Sequence, residues 1–174
     1  MPFAQPKVYY DLLIKPMLDR FNANPTAYDL AFATCVALDN MGDLYAKEQG
    51  LTEGVARERI TAAIPDFRKI VVIANAFKHG EVNHKRHGIY VGTRAEHAVV
   101  DDGAAFSDGS YFSDGTSFSD AEPTVVMKFP NGEICDVNHL CGAVARALPK
   151  LFNFDRPEPV RRGRKYTKES EIED

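Results

Sequence analysis

Apolar residues recur at three- and four-residue spacing over most of the chain, which predicts amphipathic helices. In residues 7–22 the stripe is Val8, Leu12, Leu13, Met17, Leu18 and Phe21, with Pro16 placed to kink or split the helix. Asn24-Pro25-Thr26 reads as a start signal, with Asn or Thr as the cap. The helix after it runs to about Lys47 on Tyr28, Ala31, Cys35, Leu38 and Met41, widened by Leu30, Ala37 and Leu44. The intervening alanines let neighbouring helices approach closely. Gly50 ends this helix, and Thr52 opens another with Glu53 at the positive end of its dipole. Pro65 restarts the chain into a helix that carries Phe67, Ile70, Val71, Ala74 and Phe77 on one face and closes at Gly80.

The pattern then changes. Residues 81–97 are polar and basic, with a short β-like run at Ile89–Val91. Residues 101–122 hold a hexapeptide repeat in which Phe106, Phe112 and Phe118 each precede Ser-Asp. Each Ser-Asp-Gly makes a turn, so the three phenylalanines are expected to staple a long loop onto one apolar surface. Alternating residues Thr124–Phe129 and Glu133–Cys135 flank Pro130-Asn131-Gly132, the signature of a β-hairpin. Asp136 can cap a last helix whose stripe is Val137, Leu140, Cys141, Val144, Leu148 and Leu151. The expected fold is mainly α, a bundle of about four helices with a hairpin and a repeat loop before the last helix. Residues 1–154 form the domain, with 81–135 inserted. The helices over 26–48, 65–79 and 137–152 are expected to pack together.

Residues 155–174 carry six bases, six acids and two prolines, and read as a solvated tail. Net charge over the 174 residues is −4, which excludes a globally basic coat but not a local basic patch. No apolar run reaches the ~18–20 residues of a helical membrane span. The first ten residues lack a charged and an apolar region, so no secretory signal is expected. Cys35, Cys135 and Cys141 are an odd number, which fits reduced thiols and a cytoplasmic protein.

A local basic patch is present. From Arg68 to Arg94 there are six Lys or Arg residues and one acid, Glu81, with His79, His84 and His87 in the same stretch. Such a segment attracts phosphate or carboxylate surfaces, and Lys69, Lys78, His84, Lys85, Arg86 and His87 are the candidate binding residues. Arg68, Asn75 and His79, spaced by seven and four, fall near one helical face. An arginine can stabilise developing phosphorane charge, an asparagine can orient a phosphate, and a histidine at a helix end can serve as general acid. The competing reading is structural, with Asn75 bonding a neighbouring helix and His79 capping its own. It is preferred because no nucleophile accompanies the three.

The box Ala74-Asn75-Ala76-Phe77-Lys78-His79 resembles the Asn-Ala-x-Lys-His box of uncharacterised bacterial and phage helical proteins, which in turn resemble HEPN-type bundles. The resemblance covers roughly residues 7–152. It implies a helical bundle in a bacterial or phage defence or toxin–antitoxin setting, with an RNA or protein partner. HEPN ribonucleases place four to six residues between Arg and His, whereas ten lie between Arg68 and His79. The resemblance therefore implies a module that binds without cutting. A metal-independent ribonuclease and a phage structural or assembly protein are the alternatives, and a homo-oligomer stays open.

No metal and no cofactor is expected. His79, His84 and His87 with Glu81 or His97, and Asp136 with His139, match no defined zinc spacing. The aspartates of the repeat lack the alternate spacing of a calcium loop. No Gly-rich phosphate loop, nucleophile elbow or Cys-x-x-Cys pair is present.

Overall fold

The computed structural model describes residues 5–101 and 123–154. The chain enters as a helical rod: α1 (Pro6–Tyr9), a widened π turn (Tyr10–Ile14) and α2 (Lys15–Ala23). The widened turn stands directly before Pro16, where the ring removes a backbone donor and crowds the preceding carbonyl. The rod is disturbed but not broken. Tyr10 Oη donates to the Ala145 carbonyl at 2.9 Å and ties it to the end of the fold.

Helix α3 (Tyr28–Gln49) is the centre, packed against α2, α4 (Glu53–Ala63), α5 (Phe67–His79) and α6 (Val137–Leu151). Ala31, Cys35, Ala37, Leu38 and Met41 are buried along it, and the small residues admit its neighbours closely. It begins at Ala27 without a side-chain cap, so neither Asn24 nor Thr26 has the capping role that the start signal suggested. Tyr28 and Leu12, both placed on apolar stripes by their spacing, are 46% and 61% exposed. The Tyr28 hydroxyl accepts the Val100 N–H at 2.8 Å. Thr52 and Asp136 do cap α4 and α6, accepting from the Val55 and His139 N–H groups. Phe21, Ile60, Phe67, Ile70, Ile73, Val144 and Leu148 complete a core shared by all these helices.

The hairpin belongs to a three-stranded antiparallel sheet ordered β1 (Ala98–Asp101), β2 (Thr124–Lys128), β3 (Ile134–Asp136). Val99 pairs with Val126, and Met127 with Cys135. The hairpin turn depends on Gly132 at φ +85°, whose N–H reaches the Phe129 carbonyl at 2.9 Å. Val125 and Met127 are buried beneath α6.

Between α5 and β1 the chain makes a closed loop. Gly80, at φ +81°, turns it out of α5, and the Ala95 N–H returns to the Gly80 carbonyl at 3.2 Å. Above this base Val82 N–H bonds the Thr93 carbonyl, and Glu81 bridges Arg94. Val82, His87, Tyr90 and Thr93 are buried, Val82 and Tyr90 joining the main core, with the Tyr90 ring against Phe129 of the hairpin. The β-like run Ile89–Val91 is not a strand. Lys85–Tyr90 forms a 3₁₀ turn, with Gly88 at φ +59°, and leaves Ile89 64% exposed. A three-residue apolar run has no period to oppose the turn chemistry of Gly88 and Gly92. The staples Phe106, Phe112 and Phe118, and the tail at 155–174, lie outside the described residues.

Candidate functional site

A half-enclosed cavity of about 330 Å³ opens where α4, the start of α5 and the 3₁₀ turn meet. Helix α4 supplies Arg57, Thr61 and Ala62, α5 supplies Arg68 and Val71, and the loop supplies Arg86 and His87. Glu58, exposed, is the acid on its wall. Arginines from three separate elements therefore line one space.

The three differ in what holds them. Arg57 Nε donates to Asp39 Oδ1 at 2.9 Å, and its Nη2 meets Asp43 at 2.9 Å. Asp39 is only 2% exposed, and Lys78 Nζ takes its second oxygen at 2.8 Å. One buried carboxylate on α3 thus binds a cation from α4 and another from α5. Burial weakens the Arg57 charge, but the Asp39 hydrogen bond and the charges of Asp39 and Asp43 outweigh it, so the proton is held more tightly than usual. The Arg57 stem lies across Gly42, where a Cβ would stand 2.9 Å from its Cγ. Arg68 and Arg86 have no carboxylate partner among the described residues. Arg86 Nε points to His87 Nε2 at 3.4 Å.

His87 is buried, and it holds a proton less readily than a free imidazole does. Burial is the first cause; the positive charges of Arg86, His84 and Arg68 follow. The ring is a neutral acceptor in a region of positive potential. His84 shapes the turn itself: its Nδ1 accepts the Arg86 N–H at 3.1 Å, and its carbonyl accepts the His87 N–H at 3.0 Å.

The candidate binding residues fall into two groups. Lys69 is engaged, 2.6 Å from Glu133 across the gap to the hairpin, and Tyr90 Oη donates to the same carboxylate at 3.2 Å. The Lys69 hydrogen bond holds the Glu133 carboxyl below its usual range. Lys78 is engaged with Asp39. His84, Lys85 and Arg86 stand exposed, and His87 lies behind them. The candidates Arg68, Asn75 and His79 are not brought to one centre. Eleven helical steps carry the chain from Arg68 to His79, about 16 Å along the axis. Of the three, only Arg68 lines the cavity. Asn75 is half-buried and His79 is exposed at the end of α5.

Sequence reasoning missed Arg57 and Asp39. The available signal was an acid beside the apolar stripe of α3, between Leu38 and Met41, which demands a cation from a neighbouring element.

Two of the thiols hold their protons more tightly than a free thiol. Cys135 is pushed up to about 12 by burial. Cys141 is held far above the thiol range by burial and by Cys35, whose Sγ lies 3.6 Å away. Among the described residues, no three His, Cys, Asp or Glu side chains gather into a metal-ligand set. No helix among them is long and apolar enough to cross a membrane. Guanidinium donors, a hydroxyl and a neutral imidazole suit the arrangement to binding an anion. No family model, curated protein or solved structure matches the chain.

Proposed function

We propose that this chain is a HEPN-like helical module that binds RNA through the face formed by the start of α5 and the 84–87 turn, without cutting it. The observation that carries the reading is the set of cations Arg68, Lys85 and Arg86, with no carboxylate partner among the described residues and His84 beside them, on one side of the fold. Other cations nearby, Arg57, Lys69, Lys78 and Arg94, each face a carboxylate within 4 Å. Cations left unpaired and adjacent are held for an anion from outside. The distance from Arg68 to His79 supports binding over catalysis, since one phosphate cannot reach both ends of α5. A bacterial or phage defence setting follows from the Asn75–His79 box.

The test is a titration of the full chain with a labelled single-stranded 20-nucleotide RNA at several KCl concentrations, without divalent metal. Binding is expected to weaken as salt rises, by about 0.7 log units per log unit of salt for each phosphate neutralised. Lys85→Ala and Arg86→Ala are expected to weaken it and lower that slope. Absence of binding at low salt, or variants that bind like the parent, overturns the reading. Metal-free cleavage lost in both Arg68→Ala and His79→Ala would replace it with a ribonuclease.

A further inference from the structure

A binding face for RNA backbone needs only a surface, yet this face contains a pocket. At about 330 Å³ it lies at the small end of ligand-binding cavities, the size of one nucleotide unit. An internal phosphodiester must leave such a pocket on both sides, so it can use less of a half-enclosed wall than a terminal group can. A chain end, or a free nucleotide, can enter it.

The charges within favour an anion, with three arginines lining the cavity against one carboxylate, the exposed Glu58. Arg57 is immobilised by Asp39 and Asp43 and forms a fixed back wall. Arg68 and Arg86 enter from different elements and have no carboxylate partner among the described residues, and Thr61 adds a hydroxyl. Two such guanidinium groups match a terminal phosphate, which carries close to two negative charges at pH 7 and three acceptor oxygens. An internal phosphodiester carries one charge and two free oxygens. Val71 and Ala62 leave an apolar side for the ribose or base.

We propose that the cavity is a binding site for a phosphomonoester dianion, gripped between Arg68 and Arg86 against Arg57 and Thr61. Its two sources are the 5′ end of an RNA strand and a free nucleoside monophosphate. The RNA reading above bears only on which of these is the physiological source.

The experiment compares four probes on the full chain at 100 mM KCl: inorganic phosphate, AMP, a 10-nucleotide RNA with a 5′-phosphate, and the same RNA with a 5′-hydroxyl. The 5′-phosphorylated strand is expected to bind roughly tenfold tighter or better than its hydroxyl counterpart. AMP should compete away that increment. Arg68→Gln and Arg86→Gln should each erase the increment, and should lower the affinity of the hydroxyl strand only as far as the loss of one cation from the face does. Lys85→Gln, outside the cavity, should lower both RNAs alike. Ala62→Leu fills the cavity without altering charge and should erase the increment too, which guards against a general electrostatic effect.

Equal binding of the two RNAs, with no binding of AMP or phosphate, overturns the pocket and leaves the RNA reading standing. AMP binding that depends on Arg68 and Arg86, with no binding of either RNA, upholds the pocket, assigns it to free nucleotide and overturns the RNA reading. AMP binding indifferent to all three cavity variants overturns the pocket.

Discussion

Helix α5 carries two kinds of cation within one short stretch. At its far end Lys78 reaches the buried carboxylate of Asp39, which Arg57 of α4 also holds. At its near end Arg68 lines the cavity, whose wall also carries the exposed Glu58, and it makes no ion pair among the described residues. The first group is closed on itself: charges from three helices meet, and desolvation is offset by hydrogen bonds. The second is open and incomplete. A count of positive charges along the sequence treats the two alike, but geometry separates cations that hold helices together from cations that await a ligand.

The sharpest way to break that contrast is Asp39→Ala. It takes from Lys78 its carboxylate and leaves Arg57 with Asp43 and Glu53 alone in a largely buried place, and is expected to cost about 3–5 kcal/mol in urea denaturation. Arg68→Ala and Arg86→Ala should change stability by no more than about 0.5 kcal/mol. Comparable losses from all three variants would erase the distinction.

A smaller effect sharpens it. Gly42→Ala should gain about 1 kcal/mol from helix propensity alone. The added methyl, however, meets the Arg57 stem at 2.9 Å, and Arg57 cannot swing away without leaving Asp39. A net loss of about 1–2 kcal/mol is expected. In an Arg57→Ala background the same change should become neutral or stabilising, and thermal melts of the four proteins of this double-mutant cycle measure the coupling.

The smallest effect concerns His87. The folded state keeps this ring neutral, so as pH falls below its ordinary 6.5 the unfolded chain takes up the proton first. Stability from this group is full above pH 6.5 and is lost as pH falls through the lower folded value. His87→Gln is expected to flatten the pH dependence of stability below 6.5. A bound dianion should raise the ring's proton affinity, so phosphate should partly restore the parent's stability in the same window.

The helices α3 to α6 and the hairpin were legible because each has either a long period or a specific turn. Thr52, Gly50, Gly80 and Asp136 punctuate them as their chemistry requires. Strand β1 was not legible. Ala98–Asp101 is four residues long, and its partner β2 begins more than twenty residues later. The closed loop was hidden for a similar reason, since its base joins Gly80 to Ala95 by backbone bonds that leave no mark on side-chain pattern. For the site, local charge identified Arg68, Lys85 and Arg86. It also drew in Lys69 and Lys78, because Glu133 and Asp39 are 64 and 39 residues away from them. Arg57 lay outside the basic stretch altogether.

The closure of residues 80–95 at their base has an evolutionary corollary. A segment whose two ends already touch can be lengthened, shortened or exchanged at little entropic cost to the rest of the chain. Here that segment contributes Arg86 and His87, while α4 and α5 contribute the remaining walls. Recognition can therefore drift through one replaceable cassette while selection on the helical scaffold stays unchanged, so descendants of this fold can differ in what they grip while keeping the same body.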